Sequence, residues 1–186
     1  MQGIQDFERL LLMHTDAAYN LAYWLVHNPD DAQDIVQDAF LRAFRAQHSV
    51  IADDIKPWLL TIVRNVAYRW LSVRNRTANV ISFDGAFSGR EDDDTRALDV
   101  PSEAPSPEDA LLSSADQALI HNALAELPPA VREVIVLREL EDLSYREIAE
   151  ITNVPIGTVM SRLARAREQL RLALTRLLAK ETRNAL

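Results

Sequence analysis

The chain has 186 residues, enough for one mid-sized domain or two small ones. Its 20 Lys and Arg stand against 28 Asp and Glu, a formal net charge of −8 that argues against polyanion binding over the whole surface. No cysteine is present, which excludes disulfide frameworks, thiolate zinc sites and cysteine nucleophiles.

The four histidines, His14, His27, His48 and His121, never fall at a metal-ligand spacing, so no metal, no cofactor and no catalytic residue is predicted, and an enzyme is disfavoured. No apolar run approaches the roughly 18 residues that span a bilayer, and the N-terminus lacks a basic-then-apolar signal. The expectation is a cytoplasmic protein without membrane insertion. Charge is segregated along the chain. Ile55 to Val80 holds five basic residues and no acidic one, and Ile156 to Lys180 holds six basic and one acidic. Between them, Ile81 to Ala118 holds ten acidic and two basic, so two basic blocks flank an acidic one. All but Lys56 and Lys180 of the basic residues are arginine, which suits bidentate phosphate and base contacts and equally reflects genome composition. Glycine is scarce, four in all, and abundant Ala, Leu, Arg and Glu predict an all-α fold.

At about 100° per residue, Asp31 to Arg45 places Ala32, Ile35, Val36, Ala39 and Ala43 on one helix face. That face is the predicted core. The other face carries Asp34, Gln37, Asp38, Arg42 and Arg45, with Leu41 set among them as either a partner contact or an isolated exposed leucine.

The next predicted helix, about Ile55 to Asn75, starts behind Asp53 or Asp54 as N-cap and holds Pro57 in its first turn, where a missing N–H costs little. Leu59, Ile62, Val63, Val66 and Trp70 form its apolar side. Trp58, Thr61, Arg64, Asn65, Tyr68 and Ser72 form the other, with no carboxylate among them. Rings that stack on unpaired bases, arginine for phosphate and asparagine for a base edge suit single-stranded nucleic acid, although Trp58 and Tyr68 would serve equally well against a neighbouring helix. From about Thr77 to Pro107 the sequence mixes Gly, Ser, Pro and the run Glu91-Asp92-Asp93-Asp94 without any apolar period, and reads as a linker.

Ser106-Pro107-Glu108 starts a further predicted helix that Leu127-Pro128-Pro129 stops, and Val131, Val134, Ile135 and Leu137 mark the apolar side of the one after it. Ser144-Tyr145-Arg146-Glu147 is a capping box that opens a short helix ending near Asn153. Pro155 begins the last and longest helix after a turn of only a few residues, the pattern of a helix-turn-helix. There Val159, Leu163, Ala166, Leu170, Leu174 and Leu177 fill an arc of about 80°, while Thr158, Ser161, Arg162, Arg165 and Gln169 share another face near the N-terminus, the end that docks in a major groove. Arg171 and Arg176 lie too far along to reach more than phosphate.

Three segments together resemble extracytoplasmic-function, or group IV, sigma factors. Asp31-Ala32-Gln33-Asp34-Ile35-Val36-Gln37-Asp38-Ala39-Phe40 is similar to their core-binding segment, and Pro57-Trp58-Leu59-Leu60-Thr61-Ile62-Val63-Arg64-Asn65 to their promoter-melting segment. Leu127-Pro128 through Ser144-Tyr145-Arg146-Glu147-Ile148-Ala149 and Pro155-Ile156-Gly157-Thr158-Val159 through Arg167 are similar to region 4. The resemblance implies region 2 over 1–76, an acidic linker over 77–106 and region 4 over 107–186. It implies a non-catalytic initiation subunit that binds core RNA polymerase through its beta and beta-prime subunits, recognises promoter DNA and answers to an anti-sigma factor. Asp34, Gln37, Asp38 and Leu41 would meet the polymerase clamp helices. Trp58, Thr61, Arg64, Asn65 and Tyr68 would act at the −10 element, with a loop from Ser49 to Asp54 holding an extruded base. Thr158, Ser161, Arg162 and Arg165 would act at the −35 element. Tyr68 and Arg69 stand where the family commonly has an Asp, and Met160 and Ala164 where it often has basic or bulky residues. A sigma-like decoy that binds only an anti-sigma factor is the competing function, and a plain helix-turn-helix regulator would explain only the C-terminal block.

Overall fold

With few glycines to interrupt them, the segments of apolar period close into helices. The computed structural model describes residues 2–47, 55–81 and 117–184. Among these residues every regular element is helical: α1 (Gln2–Leu12), α2 (Thr15–Val26), α3 (Pro29–Arg45), α4 (Ile55–Ile81), α5 (residues 117–125), α6 (Pro129–Glu139), α7 (Tyr145–Thr152) and α8 (Ile156–Asn184). The all-α expectation holds. The Ser49 to Asp54 loop, the Glu91 to Asp94 run and the helix start at Ser106 to Glu108 lie outside the described residues.

α3 begins where Asn28 accepts a hydrogen bond from the Asp31 amide at 2.9 Å, and Pro29 fills the first helical position, where it has no bond to lose. Ala32, Ile35, Val36, Ala39 and Ala43 are all buried, as their spacing predicts. They pack against α2 and α4, and the three helices form the first unit. α4 runs to Ile81 rather than ending near Asn75, because Arg76 to Ile81 contains neither Gly nor Pro. Phe7 of α1 packs edge-on against Phe44 of α3 at 6.0 Å and Trp58 of α4 at 6.2 Å.

In the second unit α6 packs against α7 and α8. The capping box forms as expected: the Glu147 amide donates to Ser144 Oγ at 3.2 Å, and the Ser144 amide donates to the Glu147 carboxylate at 2.7 Å. Those bonds hold the Glu147 carboxyl below its usual range. Asn153 ends α7 at φ 52°, a left-handed position that asparagine tolerates, and the chain re-enters helix at Ile156.

The two units share one apolar core. Leu59, Leu60 and Val63 of α4 join Leu124, Val134, Leu137, Ile148 and Ile151 in a single buried cluster. α2 packs on α6, and α4 packs on α7. The consequence is clearest at α6, where Arg132, Glu133 and Val136 are buried together with the apolar side that the sequence predicts. A helix buried on every side sits between neighbours on every side.

Candidate nucleic-acid interface

On α3, Asp34, Gln37 and Leu41 are exposed, Leu41 at 52 % of its surface. Asp38 is half-buried and takes the Arg42 guanidinium on both carboxylate oxygens at 2.9 Å, one helical turn away. Asp34, Gln37, Asp38 and Leu41 follow one another at helical spacing, so the four predicted polymerase contacts share one polar face around an apolar centre.

The α4 residues divide into different environments. Asn65 is exposed. Thr61 is half-buried and donates to the Pro57 carbonyl at 2.9 Å, a bond that occupies its hydrogen within the helix. Trp58 is half-buried and packs against Phe7 with the two rings steeply inclined. Arg64 and Tyr68 turn toward the second unit. The Arg64 guanidinium lies 4.6 Å above the Tyr68 ring, and both side chains bond the Glu133 carboxylate of α6. Tyr68 donates to it at 2.8 Å. Burial first, and the neighbouring Glu133 carboxylate second, push the Tyr68 phenol well above its ordinary range. Arg162 of α8 lies close enough for its charge to act on the same phenol. Two residues expected at the −10 element thus converge on one carboxylate of the second unit.

At the start of α8, Ser161 and Arg165 are exposed, while Thr158 and Arg162 are half-buried. The Ser161 hydroxyl donates back to the Thr158 carbonyl at 2.9 Å, leaving its lone pairs free to accept. Arg171 and Arg176, too far along the helix to reach more than phosphate, lie on the surface beside carboxylates: Glu168 at 2.7 Å and Glu126 respectively.

The structure adds residues absent from the sequence-based set. Lys56 reaches the Glu141 carbonyl at 2.8 Å and its carboxylate at 3.1 Å, and Asn20 donates to Glu141 at 3.1 Å. Lys56, Leu60, Arg64 and Tyr68 recur every fourth residue, and that spacing was the signal for one continuous stripe. Farther along the junction, Tyr23 OH and His121 Nε2 lie 2.7 Å apart, and the Trp24 and His121 rings are 4.9 Å apart. His27 packs 6.2 Å from His121, and neither of its ring nitrogens has a hydrogen-bond partner among the described residues. Among those residues no group of three or more His, Asp or Glu is placed to hold a metal ion. Nor is any described helix long and apolar enough to cross a membrane.

Two family models match the chain: Sigma-70 region 2 over residues 10–77 and Sigma-70, region 4 over residues 117–170. The RNA polymerase sigma-H factor of Pseudomonas aeruginosa is 35 % identical over 176 residues, covering 92 % of this chain and 88 % of that protein. The ECF RNA polymerase sigma factor SigW of Bacillus subtilis is 34 % identical over 172 residues, covering 91 % of this chain and 90 % of that one. Among solved structures, the sigma factor RpoE from Bartonella quintana, in complex with the anti-sigma factor NepR, superposes with a TM-score of 0.69 at 30 % identity. That match covers 92 % of this chain and 98 % of the other.

Proposed function

Because the chain belongs to the extracytoplasmic-function sigma factors of bacterial RNA polymerase, we propose that it binds core polymerase through the polar face of α3 and directs initiation from promoters read by α4 and α8. The observation that carries this reading is a basic, carboxylate-free α4 and a helix-turn-helix with Arg162 and Arg165 at its recognition end, both in one chain. Region 2 occupies 1–76, the acidic linker 77–106 and region 4 107–186. Asp34, Gln37, Asp38 and Leu41 meet the polymerase. Arg64, Asn65 and Tyr68 act at the −10 element with Thr61 and Trp58 supporting them, and Thr158, Ser161, Arg162 and Arg165 act at the −35 element. The protein works in the cytoplasm, contributes no catalysis of its own, and is restrained by an anti-sigma factor, a reading supported by the relative solved with one.

Run-off transcription with purified core polymerase and genomic DNA tests the proposal. Specific starts are expected with the wild-type chain and none with Leu41→Glu combined with Asp38→Lys, whose circular dichroism should be unchanged. An absence of specific initiation by the wild type would overturn the reading in favour of a decoy. Full activity of the double variant would move the polymerase contact off α3.

A further inference from the structure

Three of the four residues on the Lys56–Leu60–Arg64–Tyr68 stripe already have acidic partners, and the fourth, Leu60, is fully buried. Lys56 meets Glu141, while Arg64 and Tyr68 both meet Glu133. The Glu133 side chain has no exposed surface, and the groups that bond it, Arg64 and Tyr68, both belong to α4 of the other unit. A carboxylate that accepts from a guanidinium and a phenol takes the same donors as a phosphodiester oxygen. The pairing is also reversible in a way that an apolar contact is not. Removing two charges from water offsets much of their mutual attraction, so an ionic junction holds with little net gain and can be exchanged for other anions.

We infer that Glu133 and Glu141 are internal substitutes for nucleic-acid phosphates, which hold region 4 over the DNA face of α4 and keep the free protein from binding an unpaired strand. The inference rests on the reading of α4 as the −10 face. In this closed arrangement Arg64 and Tyr68, both assigned to the −10 element, are withheld together by the one carboxylate. Opening requires that α6 and α7 leave α2 and α4, parting the shared apolar core along with the ionic contacts.

The full chain is suited to the test because it has no cysteine of its own. Gln33→Cys on α3 and Thr175→Cys on α8, both at exposed positions, take spin labels that report the distance between the units. Filter binding with a radiolabelled single-stranded DNA of about 12 nucleotides and random sequence reports access to α4. Glu133→Gln combined with Glu141→Gln should lengthen the label distance and tighten DNA binding about tenfold, the effect of losing one charge-assisted contact from the competing closed state. Unchanged distance and unchanged affinity would overturn the latch. A longer distance without tighter binding would overturn the masking, while the assignment of α4 as the DNA face is judged separately by whether specific run-off starts survive Asn65→Ala. Lys56→Gln acts from the other side of the junction, and it too should lengthen the label distance. No change there while the glutamate variant fails to fold would also overturn the latch.

Discussion

Arg162 and Arg165 stand one turn apart on α8 but in different surroundings. Arg162 is half-buried, whereas Arg165 is exposed. A bidentate contact from arginine to guanine is worth about 1–3 kcal/mol of discrimination. Arg165→Ala is therefore expected to relax the −35 preference at one or two positions, measured by competition binding of the reconstituted holoenzyme over single-base promoter variants. Arg176 belongs to a different category, because its guanidinium pairs with Glu126 on the surface. Such a pair contributes about 0–1 kcal/mol, so Arg176→Ala should leave the base preference unchanged and shift the salt dependence very little. A uniform loss on every sequence for Arg165→Ala would make it a phosphate contact and leave the reading to Ser161 and Arg162. The sequence showed which arginines lie on the recognition helix. It could not show which had carboxylates nearby, since Glu126 is fifty positions from Arg176.

At the scale of elements, legibility follows the direction of burial. α3 has one buried face, so its apolar spacing named the core residues and left the polar face correctly in water. The Ser144 capping box is local chemistry and was equally readable. α6 was only half legible. Its apolar side was evident, but Arg132 and Glu133 look like solvent positions until α2 and α4 are placed against them, and no local period encodes a neighbour more than sixty residues away. Leu60 was missed for the same reason, being buried in the cluster that joins the two units. The histidines follow as well. His27 is surrounded by Tyr23 and Trp24 of α2, His121 of α5 and Arg132 of α6. Burial, the Arg132 charge and His121 lower its pKa to about 4, and burial and Arg132 lower that of His121. Burial likewise draws Arg132 down to about 10, which leaves it charged at neutral pH. Because the unfolded chain takes up these protons nearer the ordinary pKa of about 6.5, stability is fully present above that pH and falls as pH drops toward 4. The urea midpoint should decrease from pH 7.5 to pH 5.5, and His27→Asn should reduce the decrease, asparagine being suited to the left-handed backbone at φ 55°. An identical pH dependence in the variant would show that His27 does not contribute to it.

For the whole molecule, the net charge of −8 conceals two basic blocks, and the chain has two independent ways of restraining them. One is the contact of Glu133 and Glu141 with α4. The other is an expectation from charge alone: ten acidic residues against two basic between Ile81 and Ala118 should oppose the long-range approach of phosphate. Deleting Asp84 to Pro105 should raise non-specific affinity for duplex DNA at low salt, and the gain should vanish as the salt concentration rises, since exposed charges act over about 10 Å at 0.1 M. Equal affinities of the two proteins throughout the salt series would assign all of the restraint to the contact between the units.

The tilted contact of the Trp24 ring with His121 has an optical consequence. Trp24 is the only one of the three tryptophans outside α4, and the ring beside it belongs to the other unit. Replacing Trp58 and Trp70 by phenylalanine makes Trp24 the sole indole emitter, and its spectrum then moves to longer wavelength when α5 departs and water reaches the ring. Separation of the two units can therefore be timed after rapid mixing with polymerase or DNA from intrinsic emission, without any attached label.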